Sequence, residues 1–114
     1  MVYLPRPFTR FREAHREVWD AYETLAERCH QGPLEERERE LVKLGVAIGA
    51  QAEGAVKSHV RRALDCGYSQ EQVEHAVVLA LTTAGFPHMI AAREWAHEVF
   101  ASHNPGKEGG IRAR

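Results

Sequence analysis

Cysteine is scarce in this chain, which has only Cys29 and Cys66 among 114 residues. Two widely separated thiols do not make a disulfide framework, and nothing in the sequence resembles a secretory signal. The longest nearly apolar run, Ala76 to Phe86, is too short to span a bilayer. These absences predict a soluble protein of the reducing cytoplasm, with no membrane partner.

A large excess of charge of one sign is also absent. The 15 Lys and Arg residues nearly balance the 16 Asp and Glu residues, so no strongly basic lobe is available to bind nucleic acid. Hydrophobic residues make up 44% of the chain, enough for the core of one domain, which we place at residues 1–102. The Gly-containing, mildly basic end, residues 103–114, is predicted to be a disordered tail.

The hydrophobic pattern predicts an all-α fold with about five helices, because no segment shows the strict alternation of a strand. Thr9 is a suitable N-cap for a first helix that reaches about Cys29. Pro33 suits the first turn of a second helix. A third helix is expected from about Glu53 to Cys66, with Gly67 ending it in a left-handed conformation.

The fourth predicted helix has almost no polar face. Ser69 and Gln72 form a capping box at its start, and Gly85-Phe86-Pro87 ends it, with Pro87 opening a fifth helix. A helix that is apolar all round is expected to be buried all round. In so short a chain, part of that burial requires another subunit, which predicts a homo-oligomer. The residues that carry this prediction are Val73, Ala76, Val77, Val78, Leu79, Ala80 and Leu81.

The stretch from Glu38 to Pro87 reads ERELVKLGVAIGAQAEGAVKSHVRRALDCGYSQEQVEHAVVLALTTAGFP. It resembles the core of the carboxymuconolactone decarboxylase family, which includes the alkyl hydroperoxidase D proteins. Thiol-type members carry Cys-x-x-Cys-x-x-x-His where this chain has Ala52-Glu-Gly-Ala55-Val-Lys-Ser-His59. The resemblance implies a helical domain of the alkyl hydroperoxidase D-like type, assembled as a trimer or hexamer.

The missing sulfurs argue against peroxidase chemistry, because a thiolate is the nucleophile that such chemistry needs. Cys66 lies on the same helical face as His59 but seven residues further along. At about 1.5 Å per residue the two are roughly 10 Å apart along the axis, beyond the reach of a hydrogen bond. An alkyl hydroperoxidase-type antioxidant is therefore the disfavoured alternative.

The decarboxylase branch of the family, as the resemblance implies, needs neither a redox cysteine nor a cofactor. It converts a carboxylated muconolactone to an enol-lactone with loss of carbon dioxide. Such a reaction asks for proton transfer and for stabilisation of developing negative charge. His59 is the candidate proton-transfer group, because unperturbed histidine titrates near pH ~6.5. Glu40, at the position of the family's relay glutamate, is the second catalytic candidate, and Arg62 and His88 are candidate substrate-binding residues.

Other interpretations of these residues remain open at this stage. His59 is equally suited to a hydrogen-bonded place at a helix interface, and Glu40 to a solvated face beside Lys43. A non-catalytic oligomeric binding protein that lost its thiols would also fit. Two Glu-x-x-His pairs, Glu27 to His30 and Glu94 to His97, have the spacing used in di-iron bundles, but no further inward glutamate pair accompanies them. We therefore predict no metal site. The leading hypothesis is a cofactor-free acid–base enzyme acting on a small lactone or carboxylated substrate.

Overall fold

A computed structural model describes residues 5–103 of the chain. These residues form two compact units, residues 5–33 and residues 34–103. Over this described range there are six α-helices, one short 3-10 helix and no strand, which confirms the predicted all-helical class. The helix count is six where about five were predicted.

The first unit contains α1, Arg6–Ala14, and α2, Arg16–His30. The prediction of one helix capped by Thr9 is wrong, because Thr9 lies inside α1. That helix begins after Pro5, and Pro7 fits its first turn, where no intrahelical N–H is required. The break falls at His15, whose φ of -135° and ψ of 65° are not helical.

The second unit contains four α-helices and the 3-10 helix. Its first helix, α3, starts three residues after Pro33, so the expected place of Pro33 in the first turn is wrong. The Glu35 N–H instead donates a 3.0 Å hydrogen bond to the Glu38 carboxylate. The elements are α3, Glu36–Gly49; α4, Glu53–Asp65; α5, Gln70–Val78; the 3-10 helix, Leu79–Thr82; and α6, Phe86–Ser102.

The junction between α4 and α5 follows its sequence signals closely. Gly67 has a φ of +99°, and the N–H of Tyr68 reaches back to the Ala63 carbonyl at 3.1 Å, as in a Schellman cap. The Ser69 hydroxyl accepts a 3.0 Å hydrogen bond from the Gln72 N–H, and the Gln72 side chain accepts one from the Ser69 N–H. The predicted C-cap and capping box are both confirmed.

The core of the second unit is formed by aliphatic side chains from all four of its α-helices. The single chain buries only part of the predicted fourth helix, and coverage of the rest by another subunit stays a prediction. Val73 and Val77 are completely buried, but Val78 is 41% and Leu79 is 57% exposed. The helix ends at Val78, and the 3-10 helix that follows turns apolar side chains outward. The core residues are Leu44, Ala47, Ile48, Val56, Val60, Ala63, Val73, Val77, Met89, Ala92, Ala96 and Val99.

No helix in the part of the chain that the structure describes is both long and apolar enough to cross a membrane. The cytoplasmic location and the extent of one domain over residues 1–102 stay predictions. Most of the predicted tail, residues 104–114, lies outside the described residues. His103, its first residue, has a side chain that is only 4% exposed.

Candidate active site on α3 and α4

The candidate site is built on the helical hairpin of α3 and α4. These helices pack against each other, and only residues 50–52 connect them. Gln51 makes the reversal in the left-handed region, at a φ of +53°. The Ala52 N–H donates a 3.1 Å hydrogen bond to the Ala47 carbonyl, which closes the turn. The hairpin therefore fixes the register of α4 against α3.

This register brings Glu40 of α3 against His59 of α4. The Glu40 Oε1 and His59 Nδ1 atoms are 2.8 Å apart. The Glu40 side chain is 4% exposed, whereas that of His59 keeps 14%. The alternative of a Glu40 on a solvated helix face is therefore wrong. A sequence signal for the burial existed, because Glu40 lies four residues before Leu44 and shares its inward face.

The hydrogen bond has a direct chemical consequence for the imidazole. An ionised carboxylate can only accept hydrogen bonds, so in this contact the Nδ1–H of His59 donates to Glu40. The Nε2 atom is then the ring nitrogen that is left to exchange protons with a substrate. A buried carboxylate also stabilises an imidazolium that forms beside it, as in other carboxylate–histidine pairs. The arrangement can orient His59, hold one tautomer and support a change of its charge.

The positions that hold sulfur in thiol-type relatives lie at the start of α4. Ala52 is the N-cap residue and Ala55 lies in the first turn, and both are partly buried. With His59 they have the i, i+3 and i+7 spacing of one helical face. The site therefore presents two methyl groups and one imidazole along this face.

The two candidate substrate-binding residues occupy separate helices. Arg62 lies on α4 one turn beyond His59 and is partly buried. His88 lies in the first turn of α6 and is also partly buried. Both residues lie in the same unit as the Glu40–His59 pair, and the two helices that carry them, α4 and α6, pack against each other. Their roles in binding remain predictions.

Sequence reasoning missed two further carboxylate–histidine pairs. Asp65 Oδ1 and His103 Nε2 lie 3.2 Å apart at the ends of α4 and α6, with side chains that are 3% and 4% exposed. No local spacing signals this pair, because its partners are far apart in the chain. Both of its side chains are almost fully enclosed, whereas His59 of the Glu40–His59 pair keeps 14% exposure.

The other missed cluster centres on Glu74 of α5. Its carboxylate accepts hydrogen bonds from Arg93 at 2.6 Å and from His97 at 2.7 Å. The Arg93 guanidinium is the main cause of a lowered pKa at Glu74, partial burial opposes that lowering, and His97 adds to it. The arrangement links α5 to α6. Among residues 5–103, no group of three or more metal-binding side chains comes together.

The comparison with known proteins agrees with this architecture. The model of the carboxymuconolactone decarboxylase family matches residues 16–98, more than half of the chain. The chain therefore belongs to that family, as its sequence resemblance predicted. A search among curated proteins and a search among solved structures find no match.

Proposed function

We propose that this protein is a cofactor-free acid–base enzyme of the carboxymuconolactone decarboxylase type, acting on a small lactone or carboxylated substrate. The observation that carries the proposal is the 2.8 Å contact between a buried carboxylate and a histidine that keeps access to solvent. A histidine held and oriented in this way is suited to general acid–base catalysis. Family membership, together with alanine at positions 52 and 55, supports the decarboxylase type over the thiol peroxidase type.

His59 is the proton-transfer group of the proposed reaction. When the bond between the substrate carbon and its carboxylate breaks, carbon dioxide leaves and the electron pair stays on the substrate as an enolate. The imidazolium of His59 then gives a proton to the substrate carbon, and solvent restores that proton for the next turnover. General acid–base assistance of this kind contributes roughly 10²–10⁴-fold in rate.

Glu40 is the positioning residue in this proposal. Its carboxylate holds Nδ1 and stabilises the imidazolium, while burial keeps the pair fixed between α3 and α4. Arg62 and His88 are proposed to bind the substrate carboxylate, since guanidinium and imidazolium groups both donate charge-assisted hydrogen bonds. The active form is proposed to be a homo-oligomer, because several large apolar side chains of the single chain are exposed.

The test is carbon dioxide release from a panel of carboxylated lactones and β-keto acids. His59→Gln should remove at least 99% of turnover, because an amide still donates a hydrogen bond to Glu40 but cannot transfer protons. His97→Gln is the matched control, since His97 has a similarly close glutamate partner in an exposed cluster. Equal turnover by the parent and His59→Gln would exclude the proposed role.

A further inference from the structure

Tyr68 joins the start of α3 to the junction between α4 and α5. Its hydroxyl donates a 3.1 Å hydrogen bond to the backbone carbonyl of Arg37, thirty-one positions earlier in the chain. The Arg37 guanidinium lies over the Tyr68 ring, 4.1 Å from the ring centroid. The same ring packs against the core of the second unit. One side chain therefore links the first turn of α3 to that core.

The backbone on both sides of Tyr68 is fixed by the two caps of the junction. Before it, Gly67 lies in the left-handed region, and the Tyr68 N–H donates to the Ala63 carbonyl of α4 at 3.1 Å. After it, Ser69 begins the capping box of α5. A side chain on a fixed backbone segment loses less conformational entropy when its hydroxyl binds. Tyr68 therefore holds the Arg37 carbonyl from a rigid base.

The start of α3 depends on this contact because the core packing of the helix begins late. α3, every residue of which the structure describes, contributes no core side chain before Leu44. The connection to α4 begins at Ala50, which lies about 15 Å beyond Glu40 along the helix axis. Arg37 lies only about 4.5 Å from Glu40 along the same axis. Of the two restraints, the Tyr68 contact is therefore much the nearer to Glu40.

We propose that Tyr68 is a positioning residue of the candidate active site. By holding the Arg37 carbonyl, it keeps the first turns of α3 in place, so that the Glu40 carboxylate stays within hydrogen-bonding distance of His59. The inference rests on the proposed function, in which His59 transfers a proton and Glu40 orients it. Tyr68 does not touch the substrate in this proposal and acts on the reaction only through Glu40.

The test is Tyr68→Phe, which removes the hydroxyl and keeps the ring against the core and beneath Arg37. In the carbon dioxide assay, kcat should fall at least about fivefold while KM changes less than about twofold, because the variant displaces a group that acts in the chemical step. This fall should shrink to less than about twofold in a Glu40→Gln background, since Tyr68 acts through Glu40. Tyr22→Phe, at an exposed tyrosine of the other unit, is the control and should leave kcat unchanged.

The tautomer of His59 provides a second readout that needs no substrate. The nitrogen chemical shift of His59 Nδ1, measured by NMR on protein labelled at histidine and assigned with His59→Gln, distinguishes a protonated ring nitrogen from a bare one. In Tyr68→Phe it should move towards the value of a bare nitrogen, because a weaker contact with Glu40 lets the other tautomer form. A purely structural role of Tyr68 would lower the melting temperature and leave this shift unchanged.

The two readouts separate the positioning role from the proposed function. If the parent releases no carbon dioxide from any member of the panel, the proposed function fails and the His59 nitrogen shift alone decides the role of Tyr68. A kcat of Tyr68→Phe within twofold of an active parent, or an unchanged nitrogen shift, would overturn the positioning role and leave the proposed function intact. Equal changes in Tyr22→Phe would also overturn it. Circular dichroism checks that both variants fold.

Discussion

The Glu40 carboxylate and the His59 imidazole, nineteen positions apart in the chain, meet at 2.8 Å between α3 and α4. The contact exists because a three-residue connection folds the two helices against each other. It gives a buried carboxyl group a hydrogen-bond partner. The same contact that suits His59 for proton transfer also contributes to folding, so the two roles need separate measurements.

His59→Ala should lower the free energy of unfolding by about 1–3 kcal/mol, because it removes the hydrogen-bond donor to a buried carboxylate. Urea denaturation would measure this loss. Replacing both partners, as in Glu40→Leu/His59→Leu, should recover most of it, since two apolar side chains leave no buried charge unpaired. The pairing would be contradicted if the double variant lost as much free energy of unfolding as Glu40→Leu and His59→Leu lose in sum.

Gln51→Gly should stabilise the chain by about 1 kcal/mol. Gln51 has a φ of +53°, where glycine avoids the steric cost that other residues meet. Gln51→Val should destabilise it by a similar amount or more, because a β-branched side chain is least tolerated there. Thermal unfolding of the parent and the two variants gives the order of their melting temperatures. A higher melting temperature for Gln51→Val than for the parent would contradict the left-handed conformation of this turn.

The Glu74 cluster predicts a pH-dependent contribution to stability. Hydrogen bonding by Arg93 places the pKa of Glu74 below the usual 4.5, so the folded chain favours the charged carboxylate. The contribution is therefore complete above pH 4.5 and is lost as the pH falls through the lower folded pKa. Glu74→Gln should cost at most about 1 kcal/mol at pH 7, because the partners are partly exposed.

Thermal unfolding across pH 3 to 7 would check this dependence. The difference in melting temperature between the parent and Glu74→Gln should shrink as the solution is acidified below pH 4.5. Glu94→Gln, at an exposed position of α6, is the control. A difference that grows on acidification would mean that the sign of the linkage is wrong.

The thiol positions give a test of the family alignment. The parent should show only background reduction of an alkyl hydroperoxide in the presence of a dithiol, because alanine supplies no nucleophile at positions 52 and 55. Ala52→Cys/Ala55→Cys should gain turnover, since a thiol at the N-terminus of α4 is favoured as thiolate. Adding His59→Ala should remove that gain. A folded double variant with free thiols and no gain would count against the alignment.

The sequence was most informative where short-range chemistry decides the structure. Gly67, Ser69 and Gln72 predicted the junction of α4 and α5, because capping depends on a few neighbouring residues. The break at His15 could not be predicted in this way, since no proline or glycine marks it. The end of α5 at Val78 was also missed, because apolar periodicity cannot show where an α-helix gives way to a 3-10 turn.

The candidate site was predictable only in part. The family resemblance pointed to Glu40 and His59, but their contact depends on the register of α3 against α4. The Asp65–His103 pair depends on packing between the ends of α4 and α6, for which the sequence carries no local signal. Long-range pairs of this kind follow from the tertiary fold and not from residue spacing.

The measurement that tests the central claim most directly is a double-mutant cycle on kcat/KM for carbon dioxide release. Its members are the parent, Glu40→Gln, His59→Gln and the double variant, with Glu74→Gln/His97→Gln as the control pair. If Glu40 acts through His59, Glu40→Gln should lower kcat/KM at least tenfold in the parent but less than twofold once His59 is replaced. Equal effects of Glu40→Gln in both backgrounds, or none in the parent, would contradict the account.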